Sequence, residues 1–262
     1  MRDRMGGKFR QIERFVDLLD SALRESNLLQ RRSVPNSPLI SMCDMGAGKG
    51  YLTFAAYDYL VNTVNARAEV TGIEHRKPLV TLCNEVAQKC SFPRLRFIAS
   101  NILDYPSSAL DILVALHACD TATDDALYYG IRAGAQIIMT SPCCHKQIRA
   151  QVDQSASRYS LRDILRHGTF AGRVSEIVTD ALRVLILERA GYYTRVSEFV
   201  SPDYTTKNVM LIAVKRQIKL SRKACVELDD RIRMLMQLFG VEQHRLQQLI
   251  LGDERDLTGG RG

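Results

Sequence analysis

The chain has 262 residues, 46% of them hydrophobic and 25% charged, with a formal net charge of +7 and seven cysteines. This length and composition fit a soluble globular protein with a proper core and exclude a disordered chain or a small disulfide scaffold. No apolar run approaches ~18 residues, so no transmembrane helix is expected. The opening "MRDRMGGKFRQIERF" lacks an apolar stretch behind its charges, so a cytoplasmic protein with reduced thiols is the expectation.

In chain order, Phe9, Ile12, Val16, Leu19 and Leu23 recur at spacings of three and four and predict an amphipathic helix over 8–25. "RRSVPNSPL" breaks that pattern with two prolines. A buried strand is then predicted at 39–46, a helix at 51–64, a strand at 68–76 and a helix from Pro78 to Cys90. Strands follow at 95–101 and 111–120, a helix capped by Thr123 and ending near Gly134, and a fifth strand at 135–145. Helices are expected around 160–167 and 172–190. The last two strands, "YYTRVSEFV" and "KNVMLIAVKR", are joined by only "SPDYTT" and must pair antiparallel. The fold class is therefore α/β: a Rossmann-like, seven-stranded, mostly parallel sheet with helices on both faces and a terminal antiparallel hairpin. The chain divides into an N-terminal helical segment (1–37), a central domain (38–216), a helical extension (217–251) and a flexible tail (252–262).

The stretch "SMCDMGAGKGYLTF" sits where an open α/β sheet delivers its ligand, at the carboxyl end of the first strand. Its glycines, Gly46, Gly48 and Gly50, are spaced G-x-G-x-G rather than G-x-G-x-x-G, and Asp44 stands two residues before the first. A carboxylate there repels a pyrophosphate but pairs with a cationic amino group, as S-adenosylmethionine carries. Glu74, ending strand two, is placed to accept ribose hydroxyls. A structural glycine turn and a nicotinamide site are the competing readings. Lys49, inside the turn, is either a substrate contact or a solvent-facing residue.

Asp44-x-Gly46-x-Gly48, Glu74 and the strand count together resemble the class I S-adenosylmethionine-dependent methyltransferases over roughly residues 38–216. The resemblance implies strand order 3-2-1-4-5-7-6 with the seventh antiparallel, S-adenosylmethionine as cofactor, Asn101 and Ile102 at the adenine, and Leu116 beside the cofactor. The segments "LHACDTATDDA" and "SPCCHK" further resemble a eukaryotic tRNA 2′-O-methyltransferase family, with His117, Cys119, Ala122, Thr123 and Asp124 matching one motif and Cys143, Cys144 and His145 the other. Asp120 stands where that family has Gly. The same segments look like methyltransferase-like proteins, one of them joined to a glutathione-transferase-like domain. His117, Asp120 and His145 are the catalytic candidates, with Asp120 or Asp124 placed to orient His117 or bind substrate, and Lys49, Cys119, Cys143, Cys144 and Lys146 are the candidate substrate contacts. His117 suits a general base toward a hydroxyl, while Asp124 also reads as an acid complementing a helix dipole. The Cys and His residues show no zinc-type spacing, so no metal is assigned.

Basic residues gather at 8–14 (Lys8, Arg10, Arg14), at 146–166 (Lys146, Arg149, Arg158, Arg162, Arg166) and at 215–223 (Lys215, Arg216, Lys219, Arg222, Lys223). They are phosphate-contact candidates, so RNA is the expected partner and methyl transfer to an RNA hydroxyl or ring nitrogen the expected reaction. Transfer to a protein or small molecule, and a non-catalytic binding or activator role, are the alternatives. Nothing in the sequence sets the oligomeric state.

Overall fold

The computed structural model describes residues 2–33, 39–102, 104–106, 109–116, 118–155, 161–198 and 209–259. The proline-rich turn at 34–38, His117, Arg158 and the 201–206 link lie outside the described residues.

Seven strands form one sheet: β1 (Ile40–Met45), β2 (Ala68–Glu74), β3 (Leu95–Ala99), β4 (Ile112–Ala115), β5 (Ile137–Thr140), β6 (Tyr192–Glu198) and β7 (Val209–Lys215). Their spatial order is β3-β2-β1-β4-β5-β7-β6. Pairing is parallel from β3 through to β5, whereas β7 runs antiparallel to both neighbours. This is the order and polarity expected of a class I methyltransferase sheet. The carboxyl ends of β1, β2, β4 and β5 therefore share one edge, and the order reverses between β1 and β4, where such sheets bind ligands.

Within each apolar strand the side chains divide alternately between two cores. Ile40, Met42, Ile112, Val114, Ile137 and Met139 enter one, and Cys43, Met45, Leu113, Ala115 and Ile138 the other. A continuous apolar run is what burial on both faces demands. The strands are shorter than their runs: β4 stops at Ala115 rather than 120 and β5 at Thr140 rather than 145, because ladder pairing between them ends at Ala115–Thr140.

Helix α1 (Arg2–Glu25) packs against the sheet domain. Its Phe15, Leu19, Ala22 and Leu23 are fully buried in the first core with α2 (Tyr51–Asp58) and the sheet. Helix α2 runs into a single π turn at Tyr59–Thr63, and Pro78 sits in the first turn of α3 (Lys77–Lys89). The second core holds α4 (Thr121–Arg132), α5 (Lys146–Ser155), the short α6 (Arg162–Leu165), α7 (Gly168–Arg189), α8 (Arg222–Phe239) and α9 (Arg245–Gly259). Leu228, Ile232, Val241 and Leu246 tie the last two helices into that core, and α9 continues through the stretch expected to be a tail. Thr123 does not cap α4: the helix starts at Thr121 behind Asp120, and Thr123 Oγ1 donates to the Ala118 carbonyl at 2.8 Å. Cys43 and Cys83 are buried thiols, whereas Cys90 is exposed. No helix among the described residues is long and apolar enough to cross a membrane.

Candidate functional site

The turn after β1 is stitched to β2, with the Gly46 and Ala47 amides both donating to the Ile73 carbonyl at 2.9 Å. Gly48 (φ +60°) and Gly50 (φ +73°) take left-handed backbone. At Gly50 a Cβ would also stand 2.9 Å from the Phe97 ring, so glycine is required there twice over. At Gly48 a Cβ would meet only ordinary contacts, 3.9 Å from Arg76 Nη2 and the Gly46 carbonyl, so its need is conformational alone.

A cavity of about 400 Å³ opens above this turn, lined by Asp44, Ala47, Gly48, Lys49, Leu52, Arg76 and Leu116, and closed by Gln11 and Ile12 of α1. Asp44 is buried and accepts a 2.6 Å hydrogen bond from Thr53. Burial pushes its carboxyl up to about 6, and the Thr53 bond only partly opposes this. A cation in the cavity would relieve that desolvation.

Glu74 follows the opposite logic. Both its oxygens are held by Arg76, through the backbone amide (3.0 Å), Nε (2.9 Å) and Nη2 (3.0 Å), while Gly48 N donates to Oε2 at 3.0 Å. The Arg76 hydrogen bonds lead in lowering its carboxyl to about 2. Glu74 is thus a fixed acceptor that also anchors the glycine turn. On that side a second cavity, about 440 Å³, is lined by Gly46, Glu74, His75, Asn101, Ile102 and Cys119, among others. Asn101 is exposed, and its amide donates to Asp104 at 2.7 Å. Asp44, Gly48, Lys49 and Leu116 therefore meet around one cavity and Gly46, Glu74, Asn101 and Ile102 around its neighbour. Gly50 starts α2 beside the turn.

Beyond β4 and β5 the expected catalytic and substrate residues fall into different surroundings. The Cys119 and Cys143 sulfurs are 2.9 Å apart, those of Cys143 and Cys144 3.7 Å, and all three lie within 4.8 Å of one another. Burial and the neighbouring thiols push the Cys143 thiol up to about 12. Asp120 adopts φ +54°, conformationally a glycine position, and its Oδ1 accepts the Lys146 (2.8 Å) and Gln147 (3.2 Å) amides. Its carboxylate thereby caps α5. Lys146 is exposed. His145 is buried with Nε2 3.2 Å from Asp180 Oδ1.

Behind these residues lies a buried ionic network that the sequence did not announce. Arg183 donates to Asp124 at 2.9 and 2.8 Å, to Asp180 at 3.1 Å and to the Asp120 carbonyl at 2.9 Å. Asp124 stands in the first turn of α4, as expected, and is also a buried ion-pair partner. His244, fully buried, stands 3.9 Å from Asp124, and burial lowers its imidazole to about 4. Arg76, Thr53, Gln11 and Arg183 are the residues that reading the sequence missed. Only Arg76, two positions after Glu74, left any signal there.

The basic groups divide by their place along the strands. Lys215 pairs beside Tyr192 next to the start of β5, so the 215–223 group lies at the sheet edge opposite the glycine turn. Arg216 there stacks on Tyr193 with its guanidinium carbon 3.7 Å from the ring centroid. At the turn's own edge, Lys49, Lys146, Arg162, Arg166 and Arg173 are exposed, as are His167 and Phe170, whose rings meet edge-on at 5.7 Å.

A family profile described as "Methyltransferase domain" matches residues 7–151. A Xenopus laevis "Glutathione S-transferase C-terminal domain-containing protein" is 34% identical over 90 residues, which are 34% of this chain and span only 14% of that protein. Among solved structures, the 23S rRNA methyltransferase ErmE aligns with 14% identity over 85% of this chain and 79% of its own (TM-score 0.43). Geranyl diphosphate methyltransferase in complex with GPP and sinefungin aligns with 14% identity over 72% and 76% (TM-score 0.44).

Proposed function

The chain belongs to a family of methyltransferase domains, and from that premise we propose that it transfers the methyl group of S-adenosylmethionine to an RNA, at a hydroxyl or a ring nitrogen. The observation that carries this reading is Asp44: a carboxylate buried in a cavity beside the glycine turn, whose charged form burial disfavours and no cation of the chain offsets among the contacts described. The methionine ammonium supplies the missing counter-charge there, and a pyrophosphate does not. Glu74 accepts the ribose hydroxyls from its Arg76 clamp, Asn101 and Ile102 meet the adenine, and Leu116 lies beside the sulfonium end.

For a hydroxyl acceptor, the oxygen attacks the methyl carbon in line with the departing sulfur, whose bonding pair stays on S-adenosylhomocysteine. His117 is the base that takes the hydroxyl proton in this reading. RNA as acceptor is supported by the exposed cations on the turn's edge of the sheet. Phe170 and His167 among them offer a stacking surface. The 215–223 group, on the other edge, is not needed for it.

The test supplies methyl-labelled cofactor with total RNA, total protein extract or a metabolite pool as acceptor. Label entering RNA, weakening as salt rises and reduced in Asp44→Asn at limiting cofactor, is the expected result. Label entering protein or metabolites would replace the acceptor class. Cofactor binding with no transfer to any pool would make the chain a binding or activator protein.

A further inference from the structure

Three thiols from two segments converge where β4 and β5 end. Cys119 precedes α4, and Cys143 and Cys144 precede α5. Neither segment has zinc-type spacing, yet the adjacency of β4 and β5 brings the sulfurs together. Adjacent cysteines do not readily bridge each other, so Cys143–Cys144 is better suited to offering two sulfurs to one centre. Three sulfurs bound at about 2.3 Å to a common tetrahedral ion stand about 3.8 Å apart. Here the Cys143–Cys144 separation already equals this to a tenth of an ångström, the Cys119–Cys143 pair must open by roughly 1 Å, and the third pair lies within 4.8 Å.

We propose that Cys119, Cys143 and Cys144 form a zinc site with three thiolate ligands and a fourth position facing the cofactor cleft. No fourth His, Cys, Asp or Glu ligand atom joins the three among the described residues. A structural zinc centre closes its coordination with protein ligands, whereas three protein ligands with one open position are the pattern of a reactive centre. The direction of that opening follows from Cys119. It is exposed and lines the same cavity as Gly46, Glu74 and Asn101. Soft thiolate ligands select zinc over magnesium or calcium. Binding displaces up to three thiol protons into solution and leaves a centre with one net negative charge from Zn²⁺ and three thiolates. Zinc binding stands on the thiols alone. The further step, that an acceptor oxygen occupies the fourth position, rests on the methyl-transfer reading above.

The surroundings support a built centre. Asp120 ties the amino end of α5 to the start of α4, fixing the segments that carry the sulfurs relative to each other. Arg183 holds the Asp120 carbonyl from behind.

The test measures metal content by mass spectrometry in the full chain purified without chelator and dialysed against metal-free buffer. Cobalt reconstitution of the stripped, reduced protein follows, read by thiolate-to-cobalt charge-transfer absorption. About one zinc per chain and strong thiolate bands are expected. Cys119→Ser, Cys143→Ser and Cys144→Ser should each weaken cobalt binding by roughly tenfold or more, while Cys225→Ser leaves it unchanged. Circular dichroism and melting of each variant separate ligand loss from misfolding. The proposal is overturned by zinc no higher than in the triple Cys→Ser variant, by zinc persisting in that variant, or by a Cys119–Cys143 disulfide in protein alkylated at lysis. None of these readouts uses the cofactor, so their failure leaves the methyltransferase reading standing, and the reverse holds too.

Discussion

Replacing Asp44 with Asn acts in opposite directions on stability and on cofactor binding, and both can be worked from the structure. Burial raises the Asp44 carboxyl from 3.8 to about 6. A group whose folded pKa is raised holds its proton more tightly when folded. Stability therefore falls as the pH rises from 3.8 toward about 6, and the penalty is complete above that. At about 1.4 kcal/mol per pKa unit, the ionised side chain costs the unliganded fold about 3 kcal/mol at neutral pH. Asn removes the charge, and its carbonyl still accepts the Thr53 hydroxyl. The variant should thus melt higher without ligand, by on the order of 5 °C at pH 8. The same substitution removes a charge-assisted bond to the methionine ammonium, worth about 1.5–3 kcal/mol. Calorimetric titration should then show Kd for S-adenosylmethionine rising roughly 10- to 150-fold. In the wild type, affinity should weaken as the pH falls below about 6, because protonation removes the counter-charge. An unliganded variant that melts lower at pH 8, or one that binds cofactor as tightly as wild type, refutes this reasoning.

His244 predicts the opposite slope. Its folded pKa is depressed from 6.5 to about 4, so the unfolded chain takes up the proton first. Stability should drop by about 3 kcal/mol as the pH falls from 6.5 toward 4, and urea midpoints of His244→Gln across that range should be flatter than wild type. Asp120 combines a cap with strained backbone. Asp120→Ala, which loses the cap and keeps the strain, should cost about 2 kcal/mol, and Asp120→Gly about 1 kcal/mol less. Chemical denaturation compares the two, and an Ala variant at least as stable as the Gly variant would count against the backbone argument.

The strands were legible because burial on both faces leaves near-continuous apolar runs, and their order was implied by the family resemblance that Asp44, the glycines and Glu74 carry. Their ends were not legible. "LVALHAC" stays apolar past Ala115, but a strand lasts only while its neighbour pairs with it, and β5 ends at Thr140. The place of α1 was hidden for a related reason, since its periodicity announces a buried face without saying what covers it. Charge was the least legible property. Lys215 and Lys146 read alike in the sequence, yet the antiparallel course of β7 puts them at opposite edges of the sheet. Asp124 was legible as a helix-terminal acid but not as an ion-pair partner, because Arg183 is 59 residues away.

Helix α1 supplies a wall of the Asp44 cavity through Gln11 and Ile12 and a share of the first core through Phe15, Leu19 and Leu23. One rigid rod therefore reports on two places at once. Anything that loosens its seat in the core also opens the cavity, and anything that fills the cavity presses the rod home. A cofactor at a hundredfold above its Kd adds about 2.7 kcal/mol to the folded state. Part of that resists the peeling away of the first two dozen residues, so occupancy should be felt as backbone protection along α1, a full turn and more beyond the last residue that lines the cavity.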